Sequence, residues 1–246
     1  MKLKLFFLFV LVAVVSSCQL TETMVMNADG SGTMSIELDL SEMMMFSGMS
    51  DEETDETKTD TIIRMRDYLV EMKDSISNLS EAEQQKLKEL ENYIMHIKID
   101  SEEQIMKYDI SINFKHVSES NEILNALEQV ENLSPSIEKD ASEVKKEESQ
   151  DIIGVAYSFE NNIFRRDAYI KDEKLHRQQV DSLKATEAFF ASSQYTLNYT
   201  FPKRIKKASN PNAVFSNDKK TIIIGTKFID YFKDPDLLDL EVVLDD

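Results

Sequence analysis

The chain has 246 residues, one cysteine, no tryptophan, and 46 acidic against 28 basic side chains, for a formal net charge of −18. Such an acidic balance repels nucleic acid and bare anionic lipid, which excludes non-specific nucleic-acid binding. A single thiol also excludes an internal disulfide, so stability must come from packing. The first seventeen residues read as an export signal. Lys2 and Lys4 supply a positive start, Leu5 to Val15 is unbroken apolar sequence, and small Ser16 and Ser17 follow. The apolar run is shorter than the roughly 20 residues that span a bilayer as a helix, so residues 1–17 are expected to be removed.

The four residues Val15, Ser16, Ser17 and Cys18 resemble a bacterial lipobox, in which a branched apolar residue and two small ones precede an obligatory cysteine. What that resemblance implies is diacylglycerol on the Cys18 sulfur, cleavage before Cys18, and an N-acyl chain such as palmitate on the new amino group. Thioether formation requires a nucleophilic sulfur. Two or more acyl chains give a stable anchor, at about 0.8 kcal/mol per buried CH₂. The implied location is the cell envelope. Gln19 is not the aspartate that retains some lipoproteins in the inner membrane, which favours the outer membrane, facing the periplasm or the cell surface.

After Cys18, residues 18–23 read as a lipidated tether and 24–246 as a single domain. Asp29 and Gly30 mark a tight hairpin turn with both central positions at positive φ, and Met34, Ile36, Leu38 and Leu40 alternate with polar residues beyond it. Residues 51–60 are mostly acidic and read as an exposed loop. Ile62, Met65, Leu69, Met72 and Ile76 recur at three and four, which predicts one helix, and Ser80 with Glu83 opens a second. Tyr93 to Ile99 and Met106 to Phe114 alternate as a second hairpin. A short helix from Ile123 to Val130 and an exposed connector over 134–151 follow. Val155 to Phe159 and Ile163 to Ile170 predict paired strands, Lys171 to Phe190 a helix, and Tyr195 to Phe201 a strand stopped by Pro202. Ala213 to Phe228 reads as a hairpin turning on Asn217 and Asp218, and Leu240 to Leu244 as a last strand. Strand pairs with helices between them define an α+β fold, a mainly antiparallel sheet with helices packed on one face.

Little in the sequence is arranged for catalysis. His96, His116 and His176 show no metal-ligand spacing, and five glycines leave no phosphate-cradling loop. With its only cysteine lipidated, the chain has no cysteine nucleophile. Met43, Met44, Met45 and Met49 cluster as a soft surface or core filler, with no adjacent His or Cys to complete a copper site. No cofactor or metal is expected. Lys203, Arg204, Lys206 and Lys207 reverse the local charge and are the candidate for docking an acidic partner or lipid phosphate, and the partners expected for the domain as a whole are an envelope protein, a glycan or an apolar ligand. The expected activity is that of a non-enzymatic binding or structural module. The alternative is an envelope hydrolase working through paired carboxylates.

The lipobox, the Asp-Gly-Ser-Gly hairpin at 29–32, the helix at 79–90 and the closing segments 199–207, 215–224 and 234–244 resemble exported lipoproteins of Bacteroidetes. That likeness implies no activity. The hairpin and the closing strands are also similar to LppM-type envelope lipoproteins, whose β-rich domain implies ligand or partner binding. Those proteins commonly end in a transmembrane helix, where this chain has Leu-Glu-Val-Val-Leu-Asp-Asp.

Overall fold

A computed structural model describes residues 18–42, 58–78, 80–121, 123, 152–184 and 187–246. Strands β1 (Gln19–Met26), β2 (Gly32–Asp39), β3 (Lys58–Arg64), β4 (Tyr93–Asp100) and β5 (Ile105–Phe114) are joined in one sheet by β8 (Gln194–Thr200), β10 (Val214–Phe215) and β11 (Thr221–Lys227). Its strand order is β10-β11-β8-β1-β2-β5-β4-β3. A second sheet holds β6 (Ile153–Glu160), β7 (Ile163–Ile170), β12 (Leu240–Leu244) and β9 (Ile205–Ala208), in the order β6-β7-β12-β9. All neighbours are antiparallel except β1 and β8, which run parallel. Helices α1 (Met65–Glu71), α2 (Lys73–Ile76), α3 (Glu81–Glu89), α4 (Glu173–Leu183), α5 (Glu187–Phe190) and α6 (Phe228–Lys233) complete the predicted α+β class.

The core lies between the inner faces of the two sheets. It holds Met24, Met34, Ile36 and Ile110 from the first and Phe164, Val155, Leu240 and Val242 from the second, and it continues under α1 and α3 through Met65, Leu87 and Leu90. Phe164 meets Tyr199 and Phe201 edge-on, at ring centroids 5.5 and 5.3 Å apart. Side chains of this size each contribute about 1.5–3 kcal/mol on full burial, so sheet-on-sheet packing is the main source of stability.

Four sequence expectations change. Gln19–Thr23 is not a tether: these residues begin β1, a central strand paired in full register with β2 and β8. Leu20, Glu22, Met24 and Met26 alternate inward, and the acidic residue in that series hides the pattern from a hydrophobicity reading. The turn after β1 is a five-residue loop, Asn27–Ser31, and only Gly30 has positive φ, at 85°. Asp29 stabilises it by accepting the Ser31 N–H and hydroxyl at 3.0 and 2.6 Å. Lys58–Asp60 leaves the expected acidic loop for edge strand β3, and Ile62 sits on that strand, 57% exposed, rather than on a helix seam. The helix predicted from Lys171 to Phe190 is two helices, α4 and α5. The methionine cluster at 43–49, acidic residues 51–57, most of the helix expected at 123–130 and the connector from 134 to 151 lie outside the described residues.

Candidate functional site

Three places on the molecule bear on function: the Cys18 end, a buried polar centre, and the basic segment at 203–207.

Cys18 immediately precedes β1, and its carbonyl accepts the Gln194 N–H at 3.1 Å, tying it to the start of β8. Burial is the largest influence on its thiol and raises the pKa, with Ser193 acting in the opposite sense. Ser193 also joins two further elements to this corner. Its N–H donates to the Phe190 carbonyl at 3.0 Å, and its carbonyl accepts the Phe228 N–H at 2.8 Å.

Four residues into β1, Glu22 points between the sheets and is fully buried. Tyr157 from β6 donates to its Oε1 at 2.6 Å and Tyr195 from β8 to its Oε2 at 2.5 Å. Tyr199, also on β8, makes a third short hydrogen bond to Oε1. Arg166 from β7 approaches Oε2 at 3.4 Å with its own side chain fully buried. Its guanidinium also reaches the Leu238 carbonyl at 3.3 Å and faces the rings of Tyr195 and Tyr231, 5.8 and 5.7 Å from their centroids. Burial pushes the Glu22 carboxyl up, but Arg166 and the three phenols outweigh it and hold the pKa below the ordinary range. The Tyr157, Tyr195 and Tyr199 hydroxyls are pushed well up, first by burial and then by the charge of Glu22. The chemistry of this centre is that of a staple between sheets. A carboxylate with every contact supplied by protein has no open position for a reactant.

Lys203 and Arg204 occupy the turn between β8 and β9, and Lys206 and Lys207 lie on β9, an edge of the second sheet. All four are exposed. The Lys203 ammonium donates to the Asn162 side chain at 3.4 Å, and among the described residues none of the four enters an ion pair closer than 4 Å. The Ile205 N–H donates to the Lys219 carbonyl at 2.7 Å, which sets the β10–β11 turn, with Lys219 and Lys220, beside this segment. Sequence reading found the first four cations by their spacing. The two contributed from the next hairpin are brought in by the fold.

The histidines are not brought together. His96 on β4 contacts the Asp60 carboxylate at 2.7 Å, His116 lies in the turn after β5, and buried His176 on α4 contacts the Phe232 carbonyl at 2.7 Å. Among the described residues no group of three His, Cys, Asp or Glu side chains could hold a metal ion. A shallow cleft of about 530 Å³ crosses the second sheet, lined by Ser158, Arg165, Asp167, Ser209, Asp239 and Glu241. Arg165 pairs with Glu241 at 2.9 Å. Burial raises the Asp239 pKa, an effect partly offset by the Ala168 N–H and reinforced by Asp167. This is the setting in which the carboxylate alternative would have to operate. None of its residues is distinguishable in a sequence so rich in acid.

No family model matches the chain, and no curated protein matches it. Among solved structures, the NMR structure of the folded domain of the Mycobacterium tuberculosis LppM protein is similar over 93% of this chain and 91% of that chain, with 6% identity and a TM-score of 0.38. This is a faint likeness to an LppM-type domain, and it adds nothing to the Bacteroidetes resemblance.

Proposed function

We propose that the protein is a cell-envelope lipoprotein, held in the outer membrane by diacylglycerol and an N-acyl chain on Cys18, whose domain is a non-enzymatic binding module. The observation that carries this reading is the placement of two features on the β1–β8 pair. Cys18 lies at the start of that pair, and the cations Lys203, Arg204, Lys206 and Lys207 follow its far end. An anchor at one end and an exposed, locally reversed charge at the other suit a domain that presents a docking surface away from its membrane. The partner that fits is an acidic segment of an envelope protein, because exposed lysines offer point-charge attraction and β9 offers an edge strand between them.

Labelled palmitate should enter the wild-type chain and not Cys18→Ser, and blocking the lipoprotein signal peptidase should leave a precursor. In-cell crosslinking followed by mass spectrometry should capture a partner from wild type that is lost when the four cations are changed to glutamate. Turnover of an envelope glycan or peptide by the purified domain, abolished by Asp239→Asn, would replace the binding reading with the hydrolase one.

A further inference from the structure

The absence of slack between Cys18 and the fold has a mechanical consequence. Gln19 is already paired with Asp39 on one side and Gln194 on the other, and the Cys18 carbonyl is itself bonded to Gln194. A lipid on Cys18 therefore pulls this end of the first sheet against the headgroups, because no free residue is left to pay out as a linker.

What surrounds Cys18 suits that position. Phe190 of α5 and Phe228 of α6, both bonded through the main chain to Ser193, lie tilted against each other with ring centroids 6.1 Å apart, and Phe228 stacks on Phe232 at 6.4 Å. All three are only part-buried, and Lys227 stands exposed next to Phe228. Aromatic rings that keep a minor part of their surface exposed, with a neighbouring lysine, match the boundary between headgroups and acyl chains, where apolar faces sink in and cations stay in water. A second feature points at the lipid itself. The Ser193 hydroxyl is buried beside the Cys18 sulfur and bonds no nitrogen or oxygen among the described residues. Its neighbour is that sulfur, at the point where the ester and amide carbonyls of a lipidated cysteine begin.

We propose that the corner formed by Cys18, Ser193, Phe190 and Phe228 is a built membrane-contact surface, which seats the lipid linkage on Ser193 and rests the domain directly on the bilayer. The inference rests on lipidation of Cys18 and specifies the geometry that follows from it. The exposed acidic pair Glu102 and Glu103 lies at the same end of the sheet in the β4–β5 turn. In the order β8-β1-β2-β5-β4 it is three strands from β1, about 14 Å away at ordinary strand spacing. Contact therefore centres on the β8–β11 side, with the acidic turn tilted away from anionic headgroups.

Because the chain has no tryptophan, single-tryptophan variants report position cleanly. The lipidated full chain would be reconstituted in vesicles of phosphatidylcholine and anionic phosphatidylglycerol containing brominated lipid, with Phe228→Trp or Lys227→Trp as proximal reporters. Glu103→Trp reports the acidic turn. Phe215→Trp reports a level about 17 Å along β11 from Lys227. Each variant is first checked for an unchanged melt, and exposed Lys227→Trp covers a failure of Phe228→Trp to fold. The proximal reporters should lose most of their emission, Glu103→Trp less, and Phe215→Trp least. Ser193→Ala should loosen the seat and weaken quenching at the proximal reporter while the chain still sediments with vesicles. Equal weak quenching at all positions, with the lipidated chain still on the vesicles, would overturn the contact surface and leave lipidation standing. A chain that carries no palmitate and never sediments would remove both.

Discussion

The buried centre around Glu22 and the basic segment at 203–207 are both concentrations of charge, and they differ in what surrounds them. Between the sheets, one carboxylate, one guanidinium and three phenols bond to one another, with the Arg166 Nε buried beside them without a partner among the described residues. On β9 and its turn, four cations stand in solvent with no ion pair among the described residues. The same chemistry is structural where every contact is made internally and available where it is not. The desolvation cost of a buried charge has to be offset inside the fold, whereas an exposed charge has incurred none and can lose its water to a partner.

The largest expected effect is that of removing the buried carboxylate. Glu22→Ala leaves Arg166 charged and unpaired and should cost about 3–5 kcal/mol, read from urea denaturation. Glu22→Leu combined with Arg166→Met should cost less than either single change, because removing both charges removes the penalty as well as the attraction. If the double variant instead costs the sum of the two single changes, the two residues are not coupled and the staple does not exist.

The pH dependence follows from the same centre. In the fold Glu22 is held below the ordinary carboxylate range, so its contribution is present above the unfolded value of about 4.3 and is lost as the pH falls through the folded pKa. The three phenols are shifted the other way. They hold their protons in the fold, so stability is retained below about pH 10 and lost as the pH rises beyond it, where unfolded tyrosines ionise. Thermal melts across the range should show both flanks, and Glu22→Gln should flatten the acid one.

A smaller effect is expected from one donor alone. Tyr199→Phe keeps the ring contact with Phe164 and removes one of three hydroxyls, for a cost of about 1.5–3 kcal/mol as a bond to a charged group. The smallest belongs to the surface. Changing Lys203, Arg204, Lys206 or Lys207 to glutamate should move stability by no more than about 0.5 kcal/mol per site, since each is exposed and forms no ion pair among the described residues. If charge reversal instead unfolds the domain, the comparison fails, and β9 is held by those lysines rather than presenting them.

The local elements were legible in the order of residues alone. Period-two alternation set β7 at Ile163–Ile170, the closing strand at Leu240–Leu244 and the β4–β5 hairpin, because a half-buried strand must put one kind of residue on each face. It determined the class too, since strand pairs interrupted by helical segments have few ways to cover their apolar faces. The role of Gln19–Thr23 emerges only once the sheets are packed together. An acidic residue at an inward position reads as a solvated one until its partners are known. Those partners lie 135 to 177 residues away, on β6, β7 and β8. The enlarged basic surface was decided in the same way. The spacing of Lys203 to Lys207 is local, whereas Lys219 and Lys220 join it through main-chain hydrogen bonds that their carbonyls accept from Ile205 and Phe201. Periodicity records which side of an element is buried. It carries no record of which distant side chain waits there, and charge inside a protein is viable only when that side chain is in place.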